Sequence, residues 1–290
     1  MKTLYISDLD GTLLQPNVEL SKKTINILNE LIAQGMFFSV ATARSIASLK
    51  TILKDVKISI PIVMMNGVCI FDLIKDDYIK IETLSKESVA ILMSLIKEHS
   101  LKGFAYTIKN GEMSTYYEDL NNQGLRDFVQ ERVDRYKKSF VQIDDFTTLS
   151  EEPLIYYALI DRKEQLEPVY RALQTIRELN CVFYKDNYSP DLWYLEIYSS
   201  SASKYHAVQY LRSEYKFDKV VCFGDNHNDL PLFKACDVKI AVGNAIDELK
   251  EKADLVIGTN VQDGVALWLK ETVIYCSEIT PDDPLGEHSR

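Results

Sequence analysis

The sequence lacks the features that mark nucleic-acid-binding and membrane proteins. Its 290 residues contain 33 Lys and Arg against 43 Asp and Glu, and no long basic run offsets the formal net charge of −10. Because nucleic acids and anionic lipids attract positive charge, this balance argues against both as partners. No apolar run approaches the ~20 residues that a membrane-spanning helix needs. We therefore expect neither nucleic acid nor membrane among the partners.

The cysteines also lack a pattern that would indicate disulfides or zinc. The five of them are scattered along the chain without a C-x-x-C pair. An odd number of widely spaced thiols is typical of a reducing compartment. Asp8 and Asp10 interrupt the first apolar run, so we expect no signal peptide. These observations predict a cytoplasmic protein and leave its oligomeric state open.

Short apolar runs alternate with amphipathic helical patterns at both ends of the chain. The runs TLYIS, MFFSVAT and PIVMM predict strands near the N-terminus, and KVVCFG, VKIAVG and DLVIG predict strands near the C-terminus. Ser21 is a candidate N-cap of the first helix, and Gly35 is its predicted end. Uninterrupted apolar strands between helices are typical of a parallel sheet covered on both faces. The sequence thus predicts an α/β fold with a Rossmann-like, doubly wound parallel sheet as its core.

The middle of the chain follows a different pattern, which predicts an inserted α+β domain. Asn66-Gly67 and Asn110-Gly111 are hairpin signals, and hairpins rather than crossovers dominate this part. We expect a discontinuous core of residues 1–83 and 194–276, a cap of residues 84–193, and a disordered tail of residues 277–290. Several aromatic residues alternate along the cap strands, so we expect most of them in the cap core and one or two facing the site.

Polar side chains follow the predicted core strands at the end where such sheets bind ligands. The first strand leads to Asp8 and Asp10, the second to Thr42, and KVVCFG to Asp225, followed by Asn228 and Asp229. Lys204 lies near the start of the helix before KVVCFG. A lone D-x-D-G-T stretch is equally compatible with a structural turn. Two acidic clusters at matching strand ends favour a common site instead.

The residue types of this cluster predict a magnesium site that handles phosphate. Asp8, Asp10 and Asp225 provide hard oxygen ligands, but too few to enclose Mg²⁺ without water or substrate. A carboxylate beside a metal can attack phosphorus and form an aspartyl-phosphate. A second acid two residues on can protonate the leaving oxygen and later activate water. A hydroxyl and an ammonium can hold the phosphoryl oxygens.

These motifs resemble those of the haloacid dehalogenase-like (HAD) phosphatases. DLDGT at 8–12, VAT ending at Thr42, Lys204 and GDNHND at 224–229 match the four family motifs in order and spacing. The long segment between Thr42 and Lys204 is similar to the α/β cap of the Cof-like subgroup. The stretches MMNGV and AVGNA are similar to that subgroup as well. The resemblance covers the chain except for about its last dozen residues.

The resemblance implies a role for each motif residue. Asp8 is the expected nucleophile and a Mg²⁺ ligand, and Asp10 the expected general acid and base with its backbone carbonyl on the metal. Asp225 is the remaining protein ligand, and Asp229 acts on metal-bound water or on Lys204. Thr42 and Lys204 are expected to bind phosphate with the help of Asn228.

Other positions near the motifs are weaker candidates or depart from the family pattern. Arg44, Asn66 and Gly67 are candidates for substrate contact, with a surface ion pair as the alternative for Arg44. Ala43 stands where the family usually has Gly, and Tyr205 where the subgroup often has Gly. Both departures lie beside the site, and neither removes a catalytic group.

The sequence therefore predicts a Mg²⁺-dependent phosphatase that acts on small phosphorylated metabolites through an aspartyl-phosphate. Sugar phosphates, FMN and pyridoxal phosphate are the candidate substrate classes. Two alternatives stay open at this point. A phosphomutase with a similar core and cap would return the phosphoryl group to a sugar, and a non-catalytic protein on the same scaffold would only bind the metabolite.

Overall fold

The computed structural model of the protein describes residues 1–186, 189 and 191–278, with side chains described up to Val273. The helices are α1 (Lys22–Ala33), α2 (Ile46–Ile52), α3 (Lys86–Glu98), α4 (Gln123–Tyr136), α5 (Lys163–Leu173), α6 (Lys204–Glu214), α7 (Leu230–Ala235), α8 (Asp247–Glu251) and α9 (Gly264–Glu278). The strands are β1 (Thr3–Ser7), β2 (Phe37–Val40), β3 (Ile62–Met64), β4 (Cys69–Asp72), β5 (Asp77–Ile81), β6 (Gly103–Lys109), β7 (Glu112–Tyr117), β8 (Val141–Gln142), β9 (Leu154–Asp161), β10 (Leu179–Lys185), β11 (Trp193–Ser199), β12 (Lys219–Gly224), β13 (Val238–Val242) and β14 (Leu255–Ile257). Except for the end of α9, the predicted disordered tail lies outside the described residues.

A five-stranded parallel sheet in the order β14-β13-β12-β1-β2 forms the core. Strands from both ends of the chain meet in this sheet, because β1 pairs with β2 on one side and with β12 on the other. Most side chains of β1, β2 and β12 are buried, as the uninterrupted apolar runs predicted, whereas Leu255 and Val256 of the edge strand β14 are exposed. The predicted α/β class with a parallel core sheet is confirmed.

The first core helix begins and ends where its capping residues predict. The Ser21 hydroxyl accepts a hydrogen bond from the Thr24 N–H at 2.9 Å and so caps α1. The chain leaves the helix through Gln34 and Gly35, whose φ of +97° suits a residue without a Cβ. Helix α1 packs against α9, and α6 packs against α7.

The stretch PIVMM was expected as a third parallel core strand, and this expectation is wrong in part. A single parallel bridge joins Val63 to Ala41, but β3 otherwise belongs to a separate three-stranded antiparallel sheet, β3-β4-β5. The reason is the turn that follows at once. Met65 and Asn66 both have positive φ and reverse the chain into β4. Strands β4 and β5 form an antiparallel hairpin.

A six-stranded sheet in the order β10-β11-β9-β6-β7-β8 forms the inserted part of the chain. All its pairs are antiparallel except β7 with β8. Strand β11 crosses the expected boundary between residues 193 and 194, and it pairs with β9 and β10 over its whole length. The six-stranded sheet therefore extends to Ser199.

The two faces of the six-stranded sheet contact different parts of the molecule. Ala105, Tyr157 and Leu195 lie in one apolar cluster with residues of α3 and α5. Phe104 and Tyr156, their neighbours along the strands, belong to the cluster that is continuous with the core. This alternation turns one face of the sheet toward the carboxyl ends of the core strands.

Candidate active site

The ends of β1 and β12 bring the two acidic motifs together. The Asp8 N–H donates to the carbonyl of Phe223 at 3.0 Å, so the chain leaves both strands at the same level. Asp225 follows β12 directly, and Lys204 is the first residue of α6, whose N-cap is Ser203. Adjacent parallel strands end at the same edge of a sheet, and this places residues far apart in sequence within contact distance.

Lys204 forms a buried ion pair with two acids. Its Nζ lies 2.6 Å from a carboxylate oxygen of Asp8 and 2.7 Å from one of Asp229. The exposed fractions are 1% for Lys204, 3% for Asp8 and 0% for Asp229. Burial opposes the charged ammonium, but the two carboxylates outweigh it and raise the pKa of Lys204 above its ordinary value. Lys204 is therefore a fixed positive charge at the bottom of the site.

Asp229 holds the loop that carries Asp225. Its second oxygen accepts hydrogen bonds from the N–H groups of Asp225 at 2.9 Å and Asn226 at 3.2 Å. Both oxygens of Asp229 are thus engaged, one by Lys204 and one by the loop backbone. The resemblance implied that Asp229 acts on metal-bound water or on Lys204. Its contact with Lys204 fits the second of these roles.

Burial and neighbouring negative charge raise the pKa of both Asp8 and Asp225. Burial is the largest cause for both, followed by the charge of Asp229, and the pKa of Asp8 rises to about 7 although Lys204 opposes the shift. Asp8, Asp225 and Asp229 each place an oxygen within 4.8 Å of the others. Three buried carboxylates with one ammonium carry excess negative charge. A hard divalent cation such as Mg²⁺ fits this oxygen set and would neutralise the excess.

The Gly-Thr that follows the first acidic pair holds Asp225 in place. The Thr12 hydroxyl donates to one Asp225 oxygen at 2.9 Å. Gly11 has a φ of +80°, and a Cβ there would lie 2.1 Å from the other Asp225 oxygen. Only glycine therefore fits at this position. The sequence reading treated Gly11 and Thr12 as parts of a motif and missed these contacts.

Arg44 and Asp10 form a two-point ion pair. Nε and Nη2 of Arg44 donate to the two Asp10 oxygens at 2.6 and 2.7 Å. Nη1 of Arg44 donates to the hydroxyl of Tyr136 on α4 at 3.2 Å. Arg44 thus joins the general-acid candidate to the inserted part of the chain. The ion pair considered for Arg44 is present, but it lies inside the site and not at the surface.

The remaining candidates divide into those that line the cavity and those that support it. Thr42, Ala43 and Asn228 line it. Asn66 and Gly67 do not. The Asn66 side chain donates to Glu196 at 2.7 Å and to the Tyr156 hydroxyl at 3.0 Å. A Cβ on Gly67 would lie 2.1 Å from the carbonyl oxygen of Ser203, so this glycine packs against the start of α6.

A cavity of about 450 Å³ lies between the acidic motif of β1 and the inserted sheet. Asp8 and Asp10 lie in its wall on the core side. On the opposite side it is lined by side chains that the sequence reading did not single out for the site or left open: Tyr106, Phe128, Arg132, Lys138, Tyr156, Tyr184, Tyr194 and Glu196. Of the alternating cap aromatics, Tyr156 and Tyr194 face the cavity and Tyr157 faces away. The alternation was visible in the sequence, but the face that meets the core was not.

Within the described part of the chain, the structure has no helix both long and apolar enough to cross a membrane.

Comparisons with known proteins agree with this geometry. A family profile described as haloacid dehalogenase-like hydrolase matches residues 5–269. The 5-amino-6-(5-phospho-D-ribitylamino)uracil phosphatase YitU of Bacillus subtilis is 24% identical, over 92% of this chain and 96% of its own length. The pyridoxal phosphate phosphatase YbhA of Escherichia coli is 23% identical, over 92% of this chain and 97% of its own. A crystal structure of a Thermotoga maritima protein is 26% identical with a TM-score of 0.75, over 93% of this chain and 97% of its own.

Proposed function

Because the chain belongs to the haloacid dehalogenase-like hydrolase family and is a phosphoric monoester hydrolase, we propose that it hydrolyses small phosphorylated metabolites with Mg²⁺ through a phosphorylated Asp8. The family match confirms the resemblance to the HAD phosphatases that the four motifs predicted. The single observation that carries the proposal is the position of Asp8. Its buried carboxylate pairs with Lys204 at 2.6 Å and lines the cavity.

Asp8 and Asp225, with the backbone carbonyl of Asp10, are the groups that would hold Mg²⁺. The fit rests on their hard oxygens and on the excess negative charge of the cluster, which after burial is the main cause that raises the pKa of both carboxyls. When bound, the ion supplies positive charge to the phosphoryl oxygens. Lys204 supplies a second positive charge from the protein, and Asp229 keeps its ammonium in place.

The reaction proceeds in two displacements at phosphorus. An oxygen of Asp8 attacks, the bond to the leaving oxygen breaks, and Asp10 gives that oxygen a proton. Water then attacks the phosphorus of the aspartyl-phosphate, Asp10 takes its proton, and phosphate leaves with Asp8 restored. Arg44 holds both oxygens of Asp10 and so fixes the carboxyl in the wall that Asp8 also lines.

The phosphoryl group binds on the core side of the cavity and the leaving group on the opposite side. Thr42 and Asn228 line the core side, which supports a role for both in binding phosphoryl oxygens. The inserted sheet covers the site and limits the access of water. Pyridoxal phosphate is the substrate to test first, because one relative is a pyridoxal phosphate phosphatase. FMN and sugar phosphates, the other classes that the sequence predicts, come next. We also expect a cytoplasmic location, as the cysteine pattern predicted.

The experiment that tests this proposal measures phosphate release from a panel of phosphorylated metabolites, with Mg²⁺ and with a chelator. Asp8→Asn is the decisive variant because it keeps the shape of the side chain and removes the nucleophile. We expect Mg²⁺-dependent release that Asp8→Asn reduces by at least about a thousandfold.

Unchanged release by Asp8→Asn would contradict the assignment of the nucleophile. A phosphorylated product without stoichiometric phosphate would instead indicate a phosphomutase. Tight metabolite binding without either product would indicate a non-catalytic protein.

A further inference from the structure

Lys138 is a positively charged residue in the leaving-group side of the cavity, and the proposed reaction assigns it no role. It follows α4, in the polar segment before β8. Its Nζ lies 4.5 Å from the centre of the Tyr106 ring and 5.0 Å from that of Phe140. Lys138 and Tyr106 line the same cavity as Asp8.

The end of α4 turns two adjacent lysines in different directions. Lys137 has a φ of +54°, and its N–H donates to the carbonyl of Val133, while the N–H of Lys138 donates to the carbonyl of Arg132. A left-handed residue whose N–H donates to the carbonyl four residues before it forms an αL cap. Lys137 is exposed, with its Nζ on the carbonyl of Asp134, whereas Lys138 is half-buried in the cavity wall. Of the two adjacent lysines, only Lys138 lines the cavity.

Several acids that line the cavity already have partners. Asp10 pairs with Arg44, Glu131 pairs with Arg132, and Glu196 accepts a hydrogen bond from Asn66. Over residues 1–186, 189 and 191–273, no carboxylate lies within ion-pair distance of Lys138. Burial, followed by the charge of Arg132, lowers the pKa of Lys138 well below its ordinary value.

An ammonium in this position costs free energy that the ring faces offset only in part. The faces of two rings attract a cation only weakly, and they do not replace the water and the counter-charge that a partly buried ammonium lacks here. A negatively charged ligand group in the cavity would form a charge-assisted hydrogen bond with Lys138 and remove most of this cost.

We propose that the leaving group of the substrate carries an acidic group, a carboxylate or a second phosphate, which Lys138 binds while the transferred phosphoryl group lies at Asp8. This inference rests on the proposed function and narrows its substrate class to phosphomonoesters with a second anionic group. Arg132, whose guanidinium stacks on Phe128 at 3.5 Å, borders the same part of the cavity and adds positive charge to it.

Matched substrate pairs test the inference. Glycerol 3-phosphate and 3-phosphoglycerate differ by a carboxylate, as do glucose 6-phosphate and 6-phosphogluconate, while fructose 6-phosphate and fructose 1,6-bisphosphate differ by a phosphate. We expect the wild type to favour the more acidic member of at least one pair. Lys138→Gln should lower kcat/KM for that member on the order of ten- to a hundredfold, through KM, and leave the other member unchanged.

Lys137→Gln is the matched control, since it removes the neighbouring charge outside the cavity and should leave both members unchanged. Lys138→Arg should restore part of the preference. The carboxylate pairs and the bisphosphate pair together identify which acidic group is bound. Equal kcat/KM within every pair, or an equal loss for both members in Lys138→Gln, would overturn the inference and leave the proposed function intact.

A binding measurement separates this inference from failure of the proposed function. Calorimetric titration of Asp8→Asn with each pair needs no turnover, and we expect tighter binding of the more acidic member that is lost in Asp8→Asn/Lys138→Gln. Equal binding within every pair would overturn the inference. A preference without any phosphate release by the wild type would support the acidic subsite and contradict the phosphatase.

Discussion

At the scale of single residues, the site depends on one buried ammonium that forms ion pairs with two acids. Lys204 contacts Asp8, the proposed nucleophile, and Asp229, which in turn holds the loop of Asp225. Removing one member of such a buried group leaves the others charged and unpaired. The same residue therefore matters for binding phosphate and for folding.

We predict that Lys204→Met abolishes phosphate release and lowers the free energy of unfolding by about 3–5 kcal/mol at pH 8. The loss should be smaller at pH 5, because the freed acids can then take up protons. Urea denaturation at the two pH values measures this effect. Lys252→Met is the control, since it removes an exposed pair with Glu248 and should cost less than about 1 kcal/mol. Equal losses in the two variants would contradict the account of Lys204.

At the scale of elements, turns and helix starts position the site. Gly67 lies in the turn after β3 and packs against the backbone of Ser203, directly before Lys204. The turn that takes β3 away from the parallel sheet therefore also contacts the helix that carries the ammonium. The backbone of Ser203 lies so close to Gly67 that no side chain fits at position 67.

We predict that Gly67→Ala costs more than Gly35→Ala, although both glycines have a φ of +97°. Alanine at Gly35 meets nothing within 4 Å and should cost only the backbone strain of about 1–2 kcal/mol. At Gly67 the same strain is joined by a clash with Ser203, so the loss should exceed that of Gly35→Ala by at least about 1 kcal/mol.

Thermal unfolding and phosphate release measure the two effects. Gly67→Ala should also lower kcat, because the start of α6 must shift together with Lys204, whereas Gly35→Ala should retain full activity. Similar stability and activity in the two variants would show that the contact with Ser203 is unimportant.

The elements also show what a single sequence could and could not predict. Local signals sufficed for the cap of α1 at Ser21 and for the strand ends that carry Asp8 and Asp225. The destination of β3 and the pairing of β11 depend on partners far along the chain, and local apolar character does not encode them. Lys138 lines the cavity directly after a left-handed residue at 137, which its sequence context does not signal.

At the scale of the whole molecule, polar contacts join the two parts of the chain around the site. Arg44 reaches Tyr136, Asn66 reaches Glu196, and Arg135 on α4 donates to the carbonyl of Asn17 at 2.7 Å. The excess of negative charge inside the resulting enclosure links stability to pH and to metal.

We predict that, without divalent metal, Asp8 makes stability fall as pH rises from about 4 to about 7. The folded protein holds the Asp8 proton up to a pKa of about 7, whereas the ordinary value is 3.8, so the folded state binds more protons within this window. Mg²⁺ should therefore stabilise the protein more at pH 8 than at pH 5. At a Mg²⁺ concentration a hundredfold above its dissociation constant, the free energy of unfolding should rise by about 2.7 kcal/mol.

Scanning calorimetry with Mg²⁺ and with a chelator measures this dependence. Asp8→Asn should flatten the fall of Tm with pH and weaken the effect of Mg²⁺. A Tm that responds to pH and to Mg²⁺ equally in wild type and variant would contradict the assignment of Asp8 to the metal site.

The most direct test of the central claim identifies the residue that carries the phosphoryl group. Asp10→Asn with p-nitrophenyl phosphate should accumulate the intermediate, because this leaving group needs no proton but the attacking water still needs a base. Acid quenching and borohydride reduction would convert an acyl phosphate to homoserine, which peptide mass spectrometry can locate. The account predicts homoserine at position 8. Homoserine at another position, or rapid turnover with unmodified Asp8, would contradict it.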